Sequence, residues 1–380
     1  MREYILILLV AAAATFLAAP ACRSLALRTG ALAKVRDRDV HARPVPYFGG
    51  LAMLCGVTVA FLLATNLPFL GRHSPVRSDS FAILLAGAVI CAVGVLDDLI
   101  ELPAWAKAAG QVLAAGVAVV SGVRMLWIPL PGQIVALDQG SGIAITVFLI
   151  FVCVNAINFV DGLDGLAAGV VAIGALAFFT YSYILAVEQD LVRATTASLV
   201  TVAIAGVCLG YLPHNFFPAR MFMGDSGAML LGLLLATSTI SLTGQIDPAS
   251  LSDTGGVLTA YLPVVLPVAI LALPVLDLVL AYVRRTMAGR WWFRPDKQHL
   301  HHRLLQRGHS QPRAVLLMYL WTALLSFGAI AVGLASLWWV AAIWLAGVAV
   351  AVVLTLVPGR KIAVDAPVTA GATTVDGGAR

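Results

Sequence analysis

The feature that constrains this chain most is an apolar stretch long enough to cross a membrane, recurring along nearly its whole length. Eleven such stretches are readable: 4–22, 48–70, 80–96, 104–121, 141–157, 165–187, 192–212, 227–243, 257–282, 314–334 and 337–357. A helix of about 20 apolar residues spans a hydrocarbon core of about 30 Å. Lipid offers backbone groups no hydrogen bonds, so segments of this kind are expected to be helical. The pattern predicts an all-α integral membrane protein of about 11 transmembrane helices. Between 121 and 141 the text RMLWIPLPGQIVAL is too broken for a span and reads as a short interfacial or re-entrant piece.

Composition agrees. Of 380 residues, 61% are hydrophobic and 11% charged, whereas soluble domains are nearer half and a quarter. Collagen-like, disordered, disulfide-scaffold and nucleic-acid-binding classes are excluded. Cys22, Cys55, Cys91, Cys153 and Cys208 lie in or beside apolar runs without metal spacing, and read as small buried hydrophobes. LAAPAC before Arg23 resembles a lipoprotein processing site. Its positive charges follow the apolar stretch instead of preceding it, so residues 4–22 are expected to be an uncleaved first span. Residues 1–360 read as one polytopic domain, and 361–380, small and polar, as a disordered cytoplasmic tail.

Lys and Arg set the orientation. Six fall in 23–47, one in 213–226, eight in 283–313 and three after 357, all on one side; the other side carries Arg2, Arg72, Arg77, Arg124 and Arg193. The N-terminus is therefore expected outside and the C-terminus in the cytoplasm.

Chemically capable residues crowd the cytoplasmic connections, where a charge near the bilayer is costly unless used. Asp97 and Asp98 end the third span. A helix C-terminus already carries partial negative charge, so an acid pair there calls for a cation, and Mg²⁺ suits carboxylates beside phosphates. A solvated polar helix end is the plainer reading. Glu101 extends the pair to DDxxE. Lys107, one turn into the next span, either snorkels or holds a phosphate.

Asn155, Asn158, Asp161 and Asp164 recur every third residue, a slowly winding polar stripe if helical, with Gly162 and Gly165 loosening the backbone for a ligand. FMGDSG offers the Asp225 carboxylate to a metal and the Phe222 ring to a base, although a turn capping the eighth span would read the same way. His299, His301 and His302 stand among Arg294, Lys297, Arg303 and Arg307, a setting suited to a diphosphate more than to zinc; a basic loop touching headgroups is the alternative.

These four motifs, in this order on one membrane face, resemble the polyprenyl-phosphate N-acetylhexosamine-1-phosphate transferases, the WecA/MraY superfamily, over about Arg36 to Arg307. The resemblance implies Mg²⁺-dependent transfer of a sugar 1-phosphate from a UDP-sugar to a polyprenyl phosphate, releasing UMP, with Mn²⁺ as a substitute metal. The site would face the cytoplasm from the inner (plasma) membrane, in the first membrane step of cell-envelope glycan assembly. HLHHRL after PDKQ looks like the UDP-GlcNAc-using branch, and the alanine-rich wording around HARPVPYFGG suggests an actinobacterial chain using decaprenyl phosphate. Partners implied are UDP-GlcNAc, the lipid phosphate, the bilayer and a second copy in a homodimer, with no nucleic acid.

Carried over by position, Asn158 and Asp225 would hold Mg²⁺, and Asp97 and Asp98 would orient or deprotonate the lipid phosphate. Lys107 would contact a phosphate. Asp161, Asp164 and Phe222 would surround the uridine, with Asn155 on the same substrate-facing stripe, and His299, His301 and His302 the sugar and diphosphate. The family's last acid is often Asp; here it is Glu101.

Three other readings compete. A UDP-MurNAc-pentapeptide phosphotransferase would keep the same motifs but favour three consecutive histidines. An ion-coupled secondary transporter should place its acids mid-span, where Asp277 alone lies. A scaffold leaves the clustered polar residues unexplained.

Overall fold

The computed structural model describes residues 1–33, 44–130, 133–188, 191–243, 308–334 and 338–357, with the isolated positions 265, 268, 269, 287 and 304. Apart from 265, 268 and 269, the ninth expected span, 257–282, lies outside the described residues, as does the tail 361–380.

Within them are ten α-helices: α1 (Arg2–Thr29), α2 (Gly49–Ala64), α3 (Ser74–Ile100), α4 (Ala104–Val120), α5 (Gln139–Val160), α6 (Leu166–Glu188), α7 (Val192–Asn215), α8 (Gly224–Thr243), α9 (Gln311–Leu334) and α10 (Trp338–Leu356). Eight are long and apolar enough to cross a membrane; α2 and α4 are the short ones. At 16 residues, α2 is roughly 24 Å long. The expected span 48–70 was longer because Leu63 to Leu70 are mostly apolar, but the helix stops at Ala64 and a 3₁₀ turn follows at Leu70–Arg72. Conversely, the third span grows to Ser74–Ile100: polar residues such as Asp79 extend a helix past the apolar segment once partners hold them, here Arg193 at 3.4 Å.

Local chemistry marks the boundaries. Gly30 ends α1 in a left-handed conformation, returning its N–H to Ala26. Pro103 precedes α4. Asp138 caps α5, its carboxylate accepting from the Gly140 N–H at 2.9 Å. Among the described residues, the departure from an all-helical plan is an antiparallel hairpin, β1 (Trp127–Leu130) and β2 (Gln133–Ala136), with Trp127 opposite Ala136. It occupies the stretch expected as interfacial or re-entrant, and buries Trp127 against Phe178 and Tyr181 of α6.

The bundle is layered around α8, which is buried from Ser226 to its end. Helices α3, α5 and α7 pack directly on it, α1 and α6 pack on α7, and α9 joins through α6 to the outermost helix, α10. Close approach to α8 depends on small residues, the usual device where lipid removes the hydrophobic drive between helices. At Gly94 of α3, a Cβ would overlap the backbone of Ser226. On the outside of the bundle Phe81, Trp105, Phe148 and Trp338 are exposed, as suits a lipid-facing surface.

Candidate active site

Four helix termini meet at one end of this bundle: the ends of α3 and α5 and the starts of α4 and α8. Their side chains converge on Asp225, in the first turn of α8. The Lys107 ammonium forms an ion pair with its Oδ2, and Asn158 Nδ2 donates to its Oδ1 at 2.9 Å. Lys107 Nζ also lies 3.3 Å from Asp97 Oδ2, while Asp97 Oδ1 accepts from the Leu102 N–H at 2.8 Å. Lys107 and Asp225 are each 22% exposed and Asp97 16%. They are screened enough for charge to act strongly, yet still open to a ligand.

Asp98, the second acid, turns toward a different partner. Its Oδ1 accepts from the Asp225 N–H at 2.8 Å, and its Oδ2 from the Ser226 hydroxyl at 2.9 Å and the Ser226 N–H at 3.4 Å. The first N–H groups of a helix lack intrahelical acceptors, so Asp98 caps α8 from a neighbouring helix. Gly224 makes this possible. Its φ is 68°, a left-handed value that disfavours a side chain, and a Cβ there would overlap the Asp98 carboxylate.

The polar stripe is only half helical. Because α5 ends at Val160, Asn155 and Asn158 lie on the helix, whereas Asp161 and Asp164 lie in the turn after it. That turn is strapped to the segment leading into α8. Asp164 is 3% exposed and accepts from the Ala219 N–H at 2.9 Å. Gly165 donates its N–H to Asn215 Oδ1 at 3.0 Å and accepts from the Tyr319 hydroxyl. Asn215 and Tyr211 both donate to the Met221 carbonyl, at 3.0 and 2.9 Å. Phe222 is held through its backbone, donating to Pro46 at 2.9 Å and accepting from Gly49 at 3.1 Å, with its ring 6.2 Å from that of Tyr47. Burial, and then the charges of Asp98 and Asp164, push the Asp161 carboxyl up to about 7.

The structure thus brings together Asp97, Asp98, Lys107, Asn158 and Asp225, with Asp161 and Phe222 on the adjoining turns. Asn155 sits deeper, donating to Gln111 Oε1 at 2.7 Å, and Asp164 is committed to backbone. His299, His301 and His302 lie outside the described residues. Sequence reasoning missed Ser226, Gln111, Asn215 and Tyr319. Gln111, four residues beyond Lys107, could have been found as a lone polar residue on that face. Nothing local marks Tyr319.

Among the described residues, no three His, Cys, Asp or Glu side chains form a closed metal site. The donor set fits Mg²⁺ all the same, because that ion takes one or two protein oxygens and completes its shell with water and phosphate. Asp225 offers a carboxylate that already accommodates a cation, the Lys107 ammonium, beside the Asn158 carboxamide.

Comparison with known proteins follows the same residues. The glycosyl transferase family 4 model matches residues 80–243, a range that includes Asp97, Lys107, Asn158 and Asp225. A decaprenyl-phosphate N-acetylglucosaminephosphotransferase of Mycobacterium tuberculosis is 46% identical over 362 residues, covering 94% of this chain and 89% of the relative. The Mycobacterium leprae protein of the same name is 48% identical over 333 residues, covering 87% and 83%. A phospho-N-acetylmuramoyl-pentapeptide-transferase of Desulforudis audaxviator is 32% identical over 302 residues, covering 73% and 81%. A polytopic helical bundle with an acid–lysine–amide cluster at four helix ends, and relatives of this identity along nearly the whole chain, lead to one assignment: the chain belongs to the WecA/MraY superfamily of membrane phosphotransferases, in its decaprenyl-phosphate N-acetylglucosamine branch.

Proposed function

We propose that this protein transfers N-acetylglucosamine 1-phosphate from UDP-GlcNAc to a polyprenyl phosphate, decaprenyl phosphate in particular, releasing UMP at the cytoplasmic face of the plasma membrane. The observation that carries the reading is the convergence of Lys107 and Asn158 on Asp225, with Asp97 held to the same Lys107 ammonium. The names of the mycobacterial relatives support the acceptor and the sugar.

The reaction joins an oxygen of the lipid phosphate to the β-phosphorus of the nucleotide and breaks that phosphorus's bond to the UMP oxygen. Several negative charges meet, so catalysis is mostly neutralisation and in-line positioning. Asp225 and Asn158 would hold Mg²⁺. When bound, that ion supplies positive charge to the diphosphate oxygens. Lys107 stands within the same cluster and gives its ammonium to a phosphate, while Asp97 orients the lipid phosphate or takes its proton. The Phe222 ring offers a face to uracil, and Asp161 and Asp164 are read as flanking the same nucleoside. His299, His301 and His302 complete the surroundings of the sugar and diphosphate in this proposal.

The test is a donor panel on purified protein with decaprenyl phosphate: UDP-GlcNAc, UDP-GalNAc and UDP-MurNAc-pentapeptide, with and without Mg²⁺. UMP release with UDP-GlcNAc, abolished by chelation and restored by Mg²⁺ or Mn²⁺, is expected. Preference for the pentapeptide donor would move the protein to the peptidoglycan branch, and no release with any donor would defeat the reading.

A further inference from the structure

One helical turn beneath Lys107, Asn158 and Asp225, the same three helices carry a second tier of side chains. Gln111 follows Lys107 by four residues on α4, Asn155 precedes Asn158 by three on α5, and Met229 follows Asp225 by four on α8. Spacings of three and four return to the same helix face. The tiers are therefore stacked, and both are bonded across the bundle. Asn155 Nδ2 donates to Gln111 Oε1 at 2.7 Å, and Gln111 Nε2 donates to Met229 Sδ at 3.4 Å.

Gln111 is 1% exposed. A buried carboxamide without partners is costly, so its two bonds hold only one arrangement of the three helices. The constraint matters because α4 packs along α3 and α5, and reaches α8 through side chains: Lys107 to Asp225 above, Gln111 to Met229 below. Apolar contacts between α4 and its neighbours would tolerate a small slide, since lipid replaces them at little cost. Directional bonds to two helices do not. Asn155 also donates to the Phe151 carbonyl of its own helix at 2.8 Å, so it keeps a partner if Gln111 is removed.

We propose that Gln111 is a positioning residue for the transfer reaction: by bonding Asn155 and Met229 it sets the register of α4 against α5 and α8, and so holds the Lys107 ammonium on Asp225. Its catalytic consequence rests on the phosphotransfer reading above, whereas its geometric content does not.

The experiment reads Lys107 directly. The chain has four lysines, Lys34, Lys107, Lys297 and Lys361, so amine acetylation of the full-length protein in detergent can be followed at each by peptide mass spectrometry. In the wild type, the ion-paired Lys107 should label slowly. Gln111→Met should leave the melting midpoint close to wild type and speed Lys107 acetylation severalfold, with the other three lysines unchanged. It should also lower kcat about tenfold, roughly 1.4 kcal/mol of barrier, with little change in KM for UDP-GlcNAc. Met229→Leu preserves core volume and removes only the sulfur acceptor, so it should shift Lys107 labelling the same way and decides the matter if Gln111→Met does not fold. Unchanged Lys107 labelling in the folded variants would overturn the proposal, whatever their activity, and leave Gln111 an ordinary core amide. A wild type that turns over no UDP-sugar would defeat the phosphotransfer reading while the labelling still judged the register.

Discussion

The Lys107 ammonium lies against Asp225 while keeping Asp97 Oδ2 at 3.3 Å, so one cation ties together acids from two different helices. Without substrate this ion pair neutralises Asp225. Phosphates arriving at the site would draw on the same positive charge.

Asp225→Asn keeps the shape and removes the charge. Turnover should fall about 100-fold or more, roughly 2.7 kcal/mol. Stability without ligands should change by less than about 1 kcal/mol, because a partly exposed ion pair contributes little and Lys107 retains Asp97. The thermal shift conferred by Mg²⁺ plus UMP should shrink, since that shift depends on binding. A full ligand-induced shift in this variant would remove Asp225 from the metal site.

Gly224→Ala meets two obstacles, a left-handed backbone and the Asp98 carboxylate. The backbone alone should cost about 1–2 kcal/mol, and displacing the cap from the Asp225 and Ser226 N–H groups should lower turnover further. Gly116→Ala is the control: mid-helix in α4 with open space around it, it should be neutral or gain up to about 1 kcal/mol. Thermal denaturation and UMP release, measured on both variants, separate strain from a general intolerance of alanine.

Asp161 should make stability fall with rising pH. Its carboxyl, at about 7 in the fold against 3.8 ordinarily, binds a proton more tightly when folded. The stabilisation is complete below about pH 4 and lost as pH rises through 7. Between pH 5 and pH 8 the wild type should therefore lose more thermal stability than Asp161→Asn, which cannot ionise. Parallel curves for the two proteins would refute a raised Asp161.

Orientation is open to labelling at two exposed positions. In a cysteine-free background, Gln139→Cys, beside the hairpin, should react with an impermeant maleimide on intact cells. Arg220→Cys, on the segment entering α8, should react only after permeabilisation. The reverse pattern would invert the proposed topology.

How much of this was readable in advance differs from element to element. The long helices announced themselves, because hydrocarbon admits only segments that satisfy their own backbone, and α6, expected at 165–187, spans Leu166–Glu188. Helix ends were less legible. Asp79 extends α3 beyond its apolar core because Arg193 meets it, and the Asn/Asp stripe leaves the helix at Asp161 because Asp164, Gly165, Asn215 and Tyr319 bond it into a turn.

The site divides along the same line. Sequence alone was sufficient to gather Asp97, Asp98, Lys107, Asn158 and Asp225 on one membrane face, because an ionisable group at a span end is expensive without a use. It treated the two adjacent acids alike. Their separation, Asp97 to Lys107 and Asp98 to the first N–H groups of α8, came only with the packing of α3 against α4 and α8. Neighbouring residues on a helix point about 100° apart, so Asp97 meets Leu102 and Lys107 just after it while Asp98 meets a helix far along the sequence. Composition and spacing report which groups a membrane can tolerate, and three-dimensional contact decides which of them bind each other and which stay open to a substrate.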